Sequence, residues 1–181
     1  MNLTRRSLAA GLVNLVPVAA AFAAPVSDPG ADRAAAAALR RLIAETPAAR
    51  QLNERAVAVL VFPKIVKAGF LFGGAYGEGV LRQGGKTVGY YNSAAASYGL
   101  QAGVQSFSYA LFFMNANALK YLDSSQGFEI GVGPSVVVVD QGLAKKFSST
   151  TATQDAYAFI FGQKGLMAGL GIEGSKITKV Q

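Results

Sequence analysis

Residues 70–92 read FLFGGAYGEGVLRQGGKTVGYYN, two apolar, glycine-containing segments on either side of the tetrapeptide Gln83-Gly84-Gly85-Lys86. Paired glycines accept the positive φ angles that tight hairpins require, so this tetrapeptide predicts a turn between strands at 70–81 and 87–92. Glycines inside the strands indicate bends or close backbone approach, as in a curled sheet. The alternative is that the small residues let a helix pack over the sheet, and both alternatives predict the same fold class.

The segments around this hairpin also read as β-structure. A continuous apolar run at 56–62 predicts a strand that ends at Pro63, because proline cannot donate to a ladder. Asn115 is placed to cap a short helix that extends to about Ser125. The remaining predicted strands are 100–114, 128–132, 136–139 and a final hairpin made of 157–161, a turn at 162–165 and 166–180.

Two helices are predicted before the first strand. Asp32 is placed to cap a helix over 32–45, whose apolar residues recur at three- and four-residue spacing. Thr46 and Pro47 favour the start of a second, short helix that ends near Arg55. The pattern therefore predicts an α+β fold, with N-terminal helices packed on a curled, mostly antiparallel, barrel-like sheet.

The first 23 residues have the pattern of an export signal. Arg5 and Arg6 precede an apolar run that ends in the small-x-small tripeptide Ala21-Phe22-Ala23. The arginine pair fits either a general secretory signal or a twin-arginine signal. We therefore expect a signal peptide at 1–23, a Pro- and Gly-containing linker at 24–31 and one domain at 32–181, exported to the periplasm.

The composition excludes several classes of chemistry. The 181 residues include no His and no Cys, which removes Ser-His-Asp triads, zinc fingers and disulfides. Residues 79–87 resemble a phosphate-binding loop but lack its glycine spacing and open no helix. We expect no cofactor, no metal and no catalytic residue, with an acid/base or cation site on strand carboxylates as a weaker alternative: Glu78, Glu129, Asp140 and Glu173.

Basic residues concentrate near the start of the predicted domain. The chain has 17 Lys and Arg against 10 Asp and Glu, a formal net charge of +7. An amphipathic helix with flanking arginines beside a basic turn is one way to bind an anionic lipid surface. The alternative is that the helix docks on the sheet and its arginines are merely solvated. No basic and aromatic alternation appears, so we expect no nucleic-acid partner. The cations in question are Arg33, Arg40, Arg41, Lys64 and Lys67.

Several blocks of the sequence resemble SYLF domains. The segment VFPKIVKAGF at 61–70 resembles the opening motif of that family, and residues 99–106 resemble a central block. The closing stretch at 157–175, with KGLMAGLGIEGS from Lys164, is similar to its most recognisable signature. The resemblance extends over about residues 35–178, with the blocks in the expected order.

The resemblance implies a non-catalytic, phospholipid-binding domain, and some eukaryotic members regulate actin. Matched to this chain, it implies lipid binding by the basic helix (Arg33, Arg40, Arg41) and by a turn with Lys64 and Lys67. Because this chain carries an export signal, we expect anionic phospholipids of the bacterial envelope as its partner, at a peripheral membrane site. The alternative is a structural or protein-interaction module that binds an envelope protein.

Overall fold

Two consecutive helices open the part of the chain that the structure describes. The structure is a computed structural model, and it describes residues 28–123, 128–129, 133–139, 153–165 and 175–180. Helix α1 spans Pro29–Glu45 and helix α2 spans Pro47–Arg55. The predicted signal peptide and the first half of the predicted linker, residues 24–27, therefore lie outside the described residues.

Helix α1 begins three residues before the predicted position. The N-cap is Asp28, whose Oδ1 accepts hydrogen bonds from the backbone N–H groups of Gly30, at 2.8 Å, and Ala31, at 3.0 Å. Pro29 occupies the first helical position, where its missing N–H costs nothing. The prediction that Asp32 caps this helix is wrong, and residues 29–31 of the predicted linker are helical.

Helix α2 has the predicted bounds, with Thr46 at its N-cap position and Pro47 at its first position. The Thr46 side chain makes no capping hydrogen bond. The guanidinium of Arg50 instead joins the two helices, since it donates to the carbonyl oxygens of Ile43, at 3.1 Å, and Ala44, at 3.4 Å. A basic side chain here satisfies carbonyls that the last turn of α1 leaves without partners.

The predicted glycine turn is confirmed, and it joins two very long strands. Strand β1 spans Ala58–Gln83 and β2 spans Lys86–Phe113, paired antiparallel along their length. Gly84 and Gly85 have φ angles of 55° and 80°, which explains the need for glycine at both turn positions. The strands predicted separately at 56–62 and 70–81 are parts of β1, and those at 87–92 and 100–114 are parts of β2.

The prediction that the first strand ends at Pro63 is wrong, because a β-bulge accommodates the proline. Phe62 pairs with Tyr109, and the next paired residues are Ile65 and Phe107. One additional residue on β1 is thereby absorbed, and the proline nitrogen needs no ladder partner. The Ser108 hydroxyl donates to the Pro63 carbonyl oxygen at 2.7 Å. The strand therefore continues through the proline.

Strand β1 curls back on itself at two glycines. An added Cβ at Gly77 would lie 2.5 Å from the carbonyl oxygen of Lys64, and one at Gly79 would lie 2.6 Å from the ring of Phe62. These distances are below any tolerable carbon contact. The close approach of the two halves of β1 therefore requires glycine at both positions.

The remaining described elements follow β2 along the chain. Helix α3 spans Ala116–Leu122 and is capped by Asn115, as predicted, although it ends at Leu122 rather than near Ser125. The other described strands are β3 (Phe128–Glu129), β4 (Val136–Val139), β5 (Ala156–Gly165) and β6 (Lys176–Lys179).

Strands β5 and β6 do not form the predicted final hairpin within the described residues. Both pair antiparallel with β2, β6 along residues 91–94 and β5 along 105–113. Strand β4 adds to β5 in parallel, and β3 adds to β6. The predicted turn at 162–165 is part of β5, where Gly162, with a φ of 63°, lies at a register shift.

The sheet separates two apolar cores, which confirms the predicted α+β class with a curled, mostly antiparallel sheet. One core lies within the curl and is closed by α3, and the other lies between the sheet and helices α1 and α2. The inner core includes Leu60, Phe62, Ile65, Tyr109, Leu111 and Phe128, and the outer core includes Ala35, Leu42, Leu52, Val61, Phe112 and Phe159.

Candidate functional site

A hydrogen-bonded network fixes the first turn of α1 to the sheet. The Tyr90 hydroxyl accepts from the backbone N–H of Asp28, at 2.9 Å, and donates to Oδ1 of Asp32, at 3.1 Å. The Thr87 hydroxyl donates to the same carboxylate oxygen at 2.8 Å. Asp32, predicted as a cap, thus ties α1 to β2. The orientation of the helix about its own axis is therefore defined.

Two of the predicted cationic residues lie together on the solvent side of α1. Arg33 and Arg40 are exposed, and each stands two residues before a fully buried residue, Ala35 and Leu42. Two residues correspond to about 200° of rotation, so both arginines point away from the sheet. Seven residues correspond to about 10 Å along the axis and nearly two full turns, which places the two arginines in one row. The Arg33 guanidinium also donates to the Pro29 carbonyl at 3.0 Å, which keeps its charge at the surface.

Arg41 is turned away from this row and is paired. Its Nε donates to Oε1 of Glu45 at 3.0 Å, with 59% of each side chain exposed. An exposed pair at this spacing adds little stability, but it offsets the charge that Arg41 presents to a partner.

The predicted basic turn with Lys64 and Lys67 does not exist, because both residues lie in β1. Lys67 is directly opposite Gln105, on the face that carries Ile65 and Phe107 into the inner core. Lys64 is exposed on the outer face, beside α1. The bulge at Pro63 sets these directions, and the two lysines project from opposite faces of the sheet.

Lys67 is half-buried, and it pairs across the hairpin with Gln105, whose side-chain amide is buried. The Oε1 atom of Gln105 is buried and accepts no hydrogen bond in the structure. The amide oxygen and the ammonium group thus share the inner face near the centre of the hairpin, away from the arginine row of α1.

An open groove of about 370 Å³ lies between the start of α1 and the outer face of β1. The sequence did not reveal it, because it forms where β1 curls back and brings residues 76–78 beside residues 63–66. It is lined by the three charged residues Asp28, Lys64 and Glu78, by the aromatic residue Tyr76, and by the small or apolar residues Gly30, Ala31, Ala34, Pro63, Val66 and Gly77.

The polar groups of this groove form few contacts with one another. The Tyr76 hydroxyl donates to Oε1 of Glu78 at 3.4 Å, and 52% of Tyr76 is exposed. Partial desolvation, and then the Glu78 carboxylate, raise the pKa of Tyr76, so its hydroxyl remains a neutral donor. Lys64 forms no ion pair with any residue that the structure describes.

The strand carboxylates considered for acid/base chemistry do not assemble within the described ranges. Glu78 and Glu129 are exposed, and Asp140 and Glu173 lie outside the described residues. Across the described residues, no three metal-ligating side chains come together. None of the helices in the described part of the chain combines the length and the apolar character needed to cross a bilayer.

Two buried tyrosines have structural surroundings. The Tyr109 hydroxyl donates to the Ser93 hydroxyl at 2.9 Å, and the Tyr91 hydroxyl donates to Asp123 at 2.6 Å. Burial is the main reason that the pKa of both hydroxyls is raised, so both stay protonated at physiological pH. They join strands and α3, and neither opens on the groove.

Comparison with known proteins gives one family. None of the curated proteins matches the chain. Residues 94–181 match the family model described as Ysc84, Las17-binding protein actin regulator. The matched range contains most of β2, α3 and the strands that follow, whereas the arginine row and the groove lie before it. The resemblance to SYLF domains predicted from the sequence is thus confirmed over residues 94–181, which match the Ysc84 (SYLF) family model.

Proposed function

We propose that this protein is a non-catalytic domain that binds anionic phospholipid membranes through the solvent side of α1. The observation that carries the proposal is the row formed by Arg33 and Arg40, which are exposed and form no ion pair within the described residues. The opposite face of the helix is held on the sheet, so these charges are presented outward. In view of the export signal predicted at residues 1–23, we propose that this membrane belongs to the bacterial envelope.

The geometry favours electrostatic docking over deep insertion. Leu39 and Leu42 of α1 are used in the outer core, so the exposed side of the helix offers the bilayer only small alanine side chains, which insert weakly. Each cation near an anionic surface contributes about 1 kcal/mol, and salt screens that attraction. Binding should therefore be reversible and dependent on ionic strength.

The structure separates the five predicted lipid-binding residues into unequal groups. Arg33 and Arg40 form the row, and Lys64 lies on the same outer side of the sheet, at the groove. The charge of Arg41 is offset by Glu45, and Lys67 projects from the other face. We therefore assign the main contribution to Arg33 and Arg40.

Vesicle co-sedimentation with two charge-matched double variants tests this assignment. Because two cations contribute about 2 kcal/mol, Arg33→Gln with Arg40→Gln should weaken binding to phosphatidylglycerol-rich vesicles about 30-fold. Arg41→Gln with Lys67→Gln removes the same charge and should weaken it about threefold or less. Equal loss in the two doubles contradicts the assignment, and equal binding to neutral vesicles at any salt concentration contradicts the function.

A protein-interaction module is the second candidate, favoured by the family description, which names a bound protein, Las17, for that family. A pull-down of the full chain distinguishes it. One stoichiometric protein partner, together with no sedimentation on anionic vesicles, would favour this candidate over membrane docking.

A further inference from the structure

The groove between α1 and β1 holds charges of both signs that do not neutralise each other directly. Lys64 and Glu78 both line it, yet no ion pair joins them. Asp28 also lines it, but its carboxylate already accepts two backbone N–H groups of α1. One ammonium group and one carboxylate are thus available to a ligand.

This charge pattern selects among small ligands. The two carboxylates outnumber the single ammonium group, so a plain anion meets net repulsion in the groove. A plain cation leaves Lys64 without a partner. A ligand that carries both a phosphate and an ammonium group complements both ends, with the phosphate at Lys64 and the ammonium at Glu78.

The aromatic residue strengthens the ammonium end. Tyr76 is half-exposed, and its hydroxyl contacts the Glu78 carboxylate, so ring and carboxylate lie side by side. An ammonium group over a tyrosine ring gains cation–π attraction in addition to the ion pair. Val66 and the alanines of α1 provide an apolar wall for the carbon atoms between the charges.

The size and position of the groove suit a lipid headgroup. Its volume of about 370 Å³ lies in the usual range of ligand sites, about 300–1,000 Å³. It is open, so acyl chains need not enter it. Ala34, on its wall, is adjacent to Arg33, so a membrane bound at the arginine row brings headgroups to the mouth of the groove.

We propose that this groove binds the zwitterionic phosphoethanolamine headgroup of a phospholipid, with Lys64 at the phosphate and Glu78 and Tyr76 at the ammonium group. The source of the ligand, a membrane, rests on the proposed function. The groove then adds recognition of a neutral lipid to the charge-driven docking by α1.

A soluble probe tests the recognition chemistry. The full-length chain is titrated with glycerophosphoethanolamine, glycerophosphate or ethanolamine, and backbone amide shifts of 28–34 and 63–78 are followed by NMR. The zwitterion should bind about fivefold more tightly than either half, as expected for one exposed charge contact. Glu78→Gln should remove this advantage and bind glycerophosphate at least as tightly as the unmodified chain does, because one repelling carboxylate is gone, whereas Lys64→Gln should weaken both phosphates. Lys86→Gln, at the hairpin turn, is the matched control. Equal binding of ethanolamine and the zwitterion overturns the proposal.

A vesicle experiment tests whether a membrane is the source of the headgroup that the groove binds. Vesicles with equal phosphatidylglycerol contain either phosphatidylethanolamine or phosphatidylcholine as the neutral lipid. Phosphatidylethanolamine should increase binding a few-fold, and Glu78→Gln should abolish that increase while leaving the salt-dependent part intact. An increase that survives Glu78→Gln overturns the groove proposal alone. Loss of all binding to phosphatidylglycerol, with the soluble probe still bound, overturns the proposed function instead.

Discussion

Two stretches of one hairpin differ in what covers them. At the root of the hairpin, residues 58–62 pair with 109–113, and every one of these residues is buried. Beyond the bulge, residues 66–68 pair with 104–106, and the outer face is open, with 40% of Val66 and 63% of Val104 exposed. The strands are continuous, so the strand itself does not determine burial.

The difference in burial between the two stretches arises from where helices α1 and α2 cover the sheet. Over the root, α1 and α2 cover the outer face while the inner core covers the other, and both faces contribute burial. Just past the bulge the helices no longer bury the outer face, and the groove between α1 and β1, with Lys64, begins there. The molecule thus concentrates burial at the root and leaves the next part of the same strand exposed, where the proposed binding groove lies.

The largest expected effect on stability comes from truncating a side chain at the root of the hairpin. Phe112 is fully buried under the helices, and its ring meets the Phe159 ring edge-on at 5.5 Å. Phe112→Ala should lower the free energy of unfolding by about 3–5 kcal/mol, because it leaves a cavity. Val104→Ala, in the open stretch, should change it by less than about 0.5 kcal/mol. Urea unfolding measures both, and similar losses would mean that the open face is covered in solution.

A smaller effect is expected where the curl brings β1 against itself. Gly77→Ala forces a Cβ against the Lys64 carbonyl oxygen and should cost about 1–3 kcal/mol, as overpacking does. Gly74→Ala on the same strand places its Cβ 3.5 Å from the Ala95 carbonyl oxygen, an ordinary contact, and should be near neutral. Thermal unfolding of the two variants measures both costs. An unchanged melting temperature for Gly77→Ala would contradict the close approach of Gly77 to the Lys64 carbonyl oxygen.

The smallest expected effect is the part of the stability loss at low pH that depends on the Asp155 carboxylate. The Asp155 carboxylate accepts from the Asn115 amide at 2.7 Å and from the N–H and hydroxyl of Ser135, each at 3.1 Å. The Asn115 bond first, and then those of Ser135, lower the pKa of Asp155 below its usual 3.8. A carboxyl whose pKa is lowered by folding stabilises the native state above its unfolded pKa, and this stabilisation is lost as pH falls through the folded value.

Comparison of unfolding at neutral pH and at about pH 3 measures this contribution. Asp155→Asn should show a smaller drop in stability between the two conditions than the unmodified chain. Glu54→Gln, on the exposed side of α2, should keep the full drop. An unchanged drop in Asp155→Asn would show that these hydrogen bonds do not persist in solution.

Local signals made part of the fold predictable. Proline at the first position of α2, the Asn115 cap and the paired glycines of the turn each act within a few residues, and all three predictions are confirmed. The Asp28-Pro29 pair is an equally local helix start, but the adjacent Gly30 is typical of a linker and obscures it in the sequence.

Features that depend on distant partners were not predictable in this way. Pro63 ends a strand by its own chemistry, but here a bulge and the hydroxyl of Ser108, from another strand, accommodate it. The same bulge decides which face each lysine takes, so Lys64 and Lys67 could not be separated from their spacing alone. The groove required knowledge that Gly77 lies against Lys64, a contact made by the curl.

The length of the hairpin also has a kinetic consequence. Its turn at Gly84 and Gly85 closes between near neighbours, whereas Ala58 and Phe113 pair from the far ends of both strands. Closing a short loop costs less chain entropy than closing a long one, so we expect pairing to spread from the turn toward the root. We therefore expect the most deeply buried segment of the hairpin to gain its partners last and to stay exposed longest while the chain folds.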